Sequence, residues 1–266
     1  MKNKEIRAKA RDAYHDNWGK YLGLNFMYFL IIFAMMFLAF IPFVGSIAVT
    51  ICTVPIAYGY MVNMVKLKKG ETTKFTDFLS LGFSNFGRAW ALYGWTLVKI
   101  VLWSVLLFVG MFIIAFVIGI FTALENALIT GIVILVGVVG MIALYVLYFD
   151  KVLLYALPQI IAAYNPNKLP RDCVEHSAKL MKGNRLKYLG LYLSFFGWII
   201  LSSLSYGMGY IFLLPYISLA MLCFYENLDK EELNKGENTS VMDWNDVNVA
   251  MEKKEQEVAT PVIENN

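Results

Sequence analysis

Few side chains in this 266-residue chain are suited to bond-making chemistry. Histidine occurs twice, at His15 and His176, and cysteine three times, at Cys52, Cys173 and Cys223. Neither histidine has a second ligand at metal-binding spacing; HExxH, paired-His and CxxC patterns are all missing. The cysteines are odd in number and far apart, and two lie inside apolar runs. They read as small apolar filler, not as a disulfide framework. There is no GxSxG elbow, no Walker A loop and no dinucleotide-binding glycine pattern. The expectation is no catalytic residue, no cofactor and no metal, hence not an enzyme.

Two polar groups remain. Lys99, in Thr96-Leu97-Val98-Lys99-Ile100, is a cation inside an apolar run and, with Asn63 and Gln159, forms a candidate intramembrane polar site. Either Lys99 faces a substrate path or pairs with Asp150, or it snorkels to the headgroups at the inner face. Asn25, Asn63 and Gln159 read as hydrogen-bond partners between helices. The second group is Lys179, Lys182, Arg185 and Lys187, four cations within nine residues. Each contributes on the order of 1 kcal/mol near anionic lipid, so they are candidate headgroup contacts.

The elements that must hold these residues are apolar. Hydrophobic residues make up 59% of the chain and charged ones 16%, and mean hydropathy is +0.58. An average soluble domain has about 45–50% apolar and about 25% charged residues, so an ordinary soluble enzyme is excluded. Apolar runs cover residues 21–40, 44–65, 89–121, 128–149, 186–204 and 206–225. In lipid they must satisfy their own backbone groups, which makes them helices. The fold class expected is all-α, a polytopic helical membrane bundle of six spans. The first run is span-length and leads through Pro42 and Gly45 into the second, unlike a cleaved signal peptide. An eight-span alternative places a turn near Gly110, with short helices at about 110–124 and 152–165.

Orientation follows from Lys and Arg. Lys66, Lys68, Lys69, Lys74 and Arg88 follow the second span. Lys151, Lys168 and Arg171 follow the fourth, together with the four cations above. The opposite connections, near residues 42–46, 122–127 and 205–209, contain neither residue. Both termini are therefore expected in the cytoplasm. From Glu226 onward eleven acidic residues face four basic ones, so the tail is strongly acidic and the body basic. The tail, residues 229–266, is expected to be solvated and largely disordered, with a protein partner as a candidate ligand. The basic residues border spans and form no separate domain, which excludes nucleic acid as the partner.

The chain also matches itself. Lys20-Tyr21-Leu22-Gly23-Leu24 returns as Lys187-Tyr188-Leu189-Gly190-Leu191. Each copy follows a joint, Asn17-Trp18-Gly19-Lys20 or Gly183-Asn184-Arg185, and a third joint is Asn85-Phe86-Gly87-Arg88. Glycine is the expected helix stop at these joints. An amphipathic segment precedes each one, built on Ile6, Ala10, Ala13 and Tyr14, on Phe75, Phe78, Leu79, Phe83 and Phe86, or on Val174, Ala178 and Met181. The third is the least amphipathic. Such helices either lie among the headgroups or pack on the bundle as linkers. Pro55, Pro158 and Pro215 recur some ten residues before the inner end of a return helix, placing a kink near mid-bilayer. The chain thus divides into a transmembrane domain, residues 1–228, of three repeated units at about 1–66, 67–166 and 167–228, followed by the tail.

The last third carries a resemblance. Ser177-Ala178-Lys179-Leu180-Met181-Lys182-Gly183-Asn184 is followed by Leu193-Ser194-Phe195-Phe196-Gly197-Trp198. Then come Gly207-Met208-Gly209, Leu214-Pro215-Tyr216 and Phe224-Tyr225. This order resembles the bacterial integral membrane family catalogued as domain of unknown function 975. The chain departs from it in the middle, where Val109-Gly110 and a long apolar region replace a Pro-Gly hairpin. The resemblance implies a bacterial cytoplasmic membrane and no assigned activity. Two functions remain open: a scaffold or lipid/partner-binding module, with anionic lipid at the cytoplasmic face as partner, and a permease for a small solute or lipid. A cavity reaching mid-membrane and lined by Lys99, Asn63 or Gln159 would favour the permease.

Overall fold

A computed structural model describes the backbone of residues 3–41, 43–123 and 127–259, and side chains through residue 234. Pro42 and residues 124–126 lie outside the described residues, as do the side chains of Val241, Trp244 and the rest of the tail. The described residues form helices joined by turns and loops, with no strand among them. Six helical segments are long and apolar enough to cross a membrane, the fifth of them, Arg185–Leu204, made of two short helices in succession, so the chain is a multi-pass membrane protein. It divides into a compact unit, residues 1–225, and a second, residues 226–266.

In chain order the helices are α1 (Asn3–Asp16), α2 (Trp18–Leu38), α3 (Val44–Lys68), α4 (Asp77–Ser84), α5 (Phe86–Thr122) and α6 (Ala127–Leu153). They continue as α7 (Pro158–Tyr164), α8 (Pro170–Met181), α9 (Arg185–Leu193), α10 (Phe196–Leu204) and α11 (Tyr210–Ala259). α11 carries helical backbone well into the acidic segment expected to be disordered. No proline interrupts that segment: Gly236 is its one glycine, and Pro261 lies past the helix end.

α5 runs unbroken through Gly110, so the turn required by eight spans does not form. Gly110 is instead a packing position, with the Leu144 side chain 2.8 Å from where its Cβ would lie. The other short piece exists as α7, but seven residues cannot span a bilayer.

The joints also differ from expectation. Gly19 and Gly87 lie inside the helices that follow, and of the three joint glycines only Gly183 has a positive φ, +87°. Asparagine does the stopping. The side-chain amides of Asn85, Asn165 and Asn184 each donate to the carbonyl four residues back, on Leu81, Ile161 and Leu180, at 2.9, 3.2 and 3.0 Å. Each thereby satisfies a carbonyl at the end of α4, α7 or α8.

Burial is concentrated at the joint end of the bundle. Tyr21, Leu24, Met64, Phe78, Leu92, Ile161, Met181 and Phe224 are all fully buried there. In the far parts of the hairpins large apolar side chains are exposed, among them Phe33, Phe40, Leu102, Phe112, Leu135, Leu147, Trp198 and Phe212. In α5 and α6 the most apolar stretch buries none of its residues. The segments before the joints pack on this core. α8, expected to be the least amphipathic, buries Cys173, Val174, Ser177, Leu180 and Met181 along one face toward α5 and α7. Cysteine and serine complete that face, which a search for large apolar side chains overlooks.

Candidate functional site

The broken helix between α6 and α7 organises the joint end. Pro158 has no amide hydrogen for the carbonyl of Leu154, and its ring crowds that carbonyl, so the helix opens over residues 154–157. Ser177, fully buried on α8, repairs the opening. Its hydroxyl donates to the Leu154 carbonyl at 2.8 Å and accepts from the Leu157 amide at 3.2 Å. Pro215 poses the same problem inside α11. There the amide of Asn25, on α2, donates to the Ile211 carbonyl at 2.8 Å, and the Asn25 oxygen accepts the Tyr60 hydroxyl at 3.2 Å.

The break lines a cavity of about 340 Å³ between α3, α5, α9 and α11. Gln159, Tyr93, Thr96, Tyr155, Tyr188 and Ser218 supply its polar lining, and no charged side chain reaches it. The Thr96 hydroxyl is committed to the Leu92 carbonyl at 2.8 Å.

The three polar candidates do not converge. Only Gln159 lines the cavity. Asn63 is fully buried and donates to the Lys74 carbonyl at 3.2 Å, tying the α3–α4 loop down. Its side-chain oxygen has no partner among the described residues. Lys99 is half-buried near α8, where its charge adds to the field around Glu175. A hydrogen bond from Arg171 at 3.0 Å chiefly holds the Glu175 carboxyl below its usual range, and Arg171 also stacks on Trp95 at 5.6 Å. Asp150 does not pair with Lys99, because its carboxylate is bonded to Arg185.

That pair corrects two readings. First, Arg185 is engaged with Asp150, so only Lys179, Lys182 and Lys187 of the four cations remain exposed. Second, α6 from Ala127 to Phe149 is already about 34 Å long before it reaches Asp150. Pro158 lies beyond the pair, on the joint side of it, and not midway along a span. Removing one partner, in Arg185→Gln or Asp150→Asn, should cost about 1–2 kcal/mol, between the surface and buried extremes, because both side chains are partly exposed. Thermal melts in detergent check this: the double variant should lose less than the two single losses together.

A third polar cluster was not legible in the sequence. Arg88 donates to the Tyr58 hydroxyl at 3.1 Å and to the Asn165 carbonyl at 2.9 Å. The Asn165 amide reaches the Tyr225 hydroxyl at 3.4 Å, and Lys69 lies over the Tyr164 ring at 5.2 Å. It binds α3, α5, α7 and α11 together. Spacing cannot reveal residues so far apart in the chain.

The residues that carry the sequence resemblance therefore have structural work. Ser177 closes the helix break, Met181 fills the core, Gly183 supplies a left-handed turn and Asn184 stops α8. Gly207 has φ +84°, and a Cβ at Gly209 would lie 2.7 Å from the Cα of Ser202. A family model described as "Protein of unknown function (DUF975)" matches residues 1–232. The chain belongs to this family. No curated protein and no solved structure matches this DUF975 chain.

The remaining sequence candidates are easily placed. His15 is exposed on α1, and the Lys168 ammonium contacts the His176 ring. Cys52, Cys173 and Cys223 of the DUF975 chain form no disulfide among the described residues, and burial pushes the pKa of the Cys173 thiol upward.

Proposed function

We propose that this DUF975 protein is a non-enzymatic scaffold that binds lipid and protein partners in the bacterial cytoplasmic membrane, with both termini in the cytoplasm. The observation that carries this reading is the uneven burial. A tightly packed joint end holds hairpins whose far parts bury little against one another, leaving their apolar surface to lipid or to another membrane protein. The basic residues of that joint end, above all Lys179, Lys182 and Lys187, meet anionic headgroups there. The chain is taken as three repeated units, each with a segment packed before its joint and a helical hairpin after it. The acidic tail is left to a protein partner.

The permease reading has one observation in its favour, the Gln159-lined cavity at a helix break, a feature that solute carriers use. The cavity lies on the joint side of the Asp150–Arg185 pair. Beyond it the exposed hairpins enclose no route among the described residues. The scaffold is favoured.

The test is lipid co-purification with mass spectrometry on the full chain. Changing Lys179, Lys182 and Lys187 together to Gln should lower retained anionic phospholipid about tenfold or more, at on the order of 1 kcal/mol each. Both termini should stay cytoplasmic, because the other basic loops remain. Unchanged retention would reduce these lysines to orientation signals.

A further inference from the structure

A groove of about 510 Å³ runs between α1, α10 and α11, away from the cavity at the helix break. Its long sides are apolar: Trp198 and Leu201 on α10 face Phe212 on α11. Its α1 end is polar. Arg11 and Tyr14 border it there with Tyr216, whose hydroxyl donates to the Arg7 carbonyl at 3.3 Å. The Tyr14 and Tyr216 rings lie 6.3 Å apart and close that end.

The volume is within the range of about 300–1,000 Å³ that suits small ligands. The Arg11 side chain is 73% exposed, and its one ion partner among the described residues is Asp12 at 3.7 Å. An exposed pair of that length is worth about 0–1 kcal/mol, so the guanidinium stays free to turn toward another anion. A guanidinium presents a planar fork of donors matched to phosphate oxygens. The sole cation of the lining thus stands at one end of an apolar trough whose exposed walls include Trp198 and Phe212.

Resting on the lipid-binding reading above, we propose that this groove is a specific phospholipid site: Arg11 takes the phosphate of an anionic headgroup, and one acyl chain lies along Trp198, Leu201 and Phe212. The charge at one end selects the headgroup, and the trough takes the chain. Neither alone defines the site. It is distinct from Lys179, Lys182 and Lys187, which offer charge without a groove.

Native mass spectrometry of the full chain in detergent tests it, with palmitoyl-oleoyl phosphatidylglycerol and the phosphatidylcholine of the same chains as probes. The wild type should keep phosphatidylglycerol in preference. Arg11→Gln should weaken that retention about fivefold, close to the 1 kcal/mol of one cation near anionic lipid, and weaken phosphatidylcholine less, because its choline already offsets the phosphate charge. Leu201→Trp fills the trough from an exposed position and should release both lipids. Arg11, fully on the surface, carries the test if the tryptophan variant does not fold. With the three lysines changed to Gln, one phosphatidylglycerol should remain bound.

Wild-type retention in both Arg11→Gln and Leu201→Trp overturns the groove site. If the lysine variant then loses its lipid, the rim reading survives the groove. No preference for phosphatidylglycerol in the wild type overturns both. A dimer that Leu201→Trp separates, with lipid unaffected, assigns the groove to a second copy and also overturns the proposal.

Discussion

Gly82→Val is expected to leave little folded protein. A Cβ at Gly82 would lie 2.2 Å from the Pro55 carbonyl oxygen, and one at Gly59 would lie 1.9 Å from that of Phe78. These are backbone atoms of α3 and α4, so no side chain can swing aside. The helices would have to separate along their most closely packed contact and uncover Phe78, which is fully buried. Overpacking in a core costs about 1–3 kcal/mol and sometimes more, and a backbone clash belongs at the upper end. The measurement is the monodisperse fraction and melting temperature in detergent. Gly87→Ala is the comparison: nothing lies within 4 Å of its Cβ, and α5 should be unchanged or firmer by about 0.5–1 kcal/mol. A Gly82→Val protein melting like the wild type would show that α4 is not docked on α3.

Ser177→Ala should be the second most damaging single change. The substitution removes one oxygen from a fully buried site and leaves the Leu154 carbonyl and Leu157 amide without their partner. Each stranded group costs about 1–3 kcal/mol, so a loss of about 2–4 kcal/mol is expected. Melting curves measure the loss. Hydrogen exchange at the Leu157 amide locates it, because faster exchange there distinguishes an opened helix break from general loosening. Thr at 177 keeps the hydroxyl and should recover much of the protection. If Ala and Thr behave alike, the hydroxyl is not what holds the break.

Several of these features were legible in the sequence for simple reasons. A run of some twenty apolar residues has little choice but helix, so six span-length segments could be read directly, though not the break between α9 and α10 in the fifth. In the first two segments before the joints the residues at helical spacing include ones that are buried, Ile6 and Ala10 in α1 and Phe78 in α4, whereas the buried face of α8 was not marked by large apolar residues. What escaped were positions defined by a partner far along the chain. Gly59 and Gly82 have no side chain to mark a face, yet they set how closely α3 and α4 approach. Ser177 and Asn25 look like ordinary polar residues until Pro158 and Pro215 are seen to free the carbonyls they satisfy. Glycine was credited with ending the helices at all three joints; Gly183 does turn the chain after α8, while Asn85, Asn165 and Asn184 satisfy the last carbonyls by reaching back one turn. The candidate polar site failed for the same reason: Lys99, Asn63 and Gln159 each meet a different neighbour.

The two limbs of the middle hairpin differ mechanically. α5 is a single rod of 37 residues, about 55 Å long, with its first third packed against α3 and α8. A hydrocarbon core of about 30 Å leaves such a rod to tilt whenever bilayer thickness changes. With no hinge along α5, that tilt is levered directly onto Arg88 and Trp95. α6 is interrupted at Leu154–Leu157, where Ser177 of α8 bonds both sides of the break, so the same tilt bears on α8 as well. One limb meets the joint end as an unbroken rod, the other through a break that its neighbour holds shut.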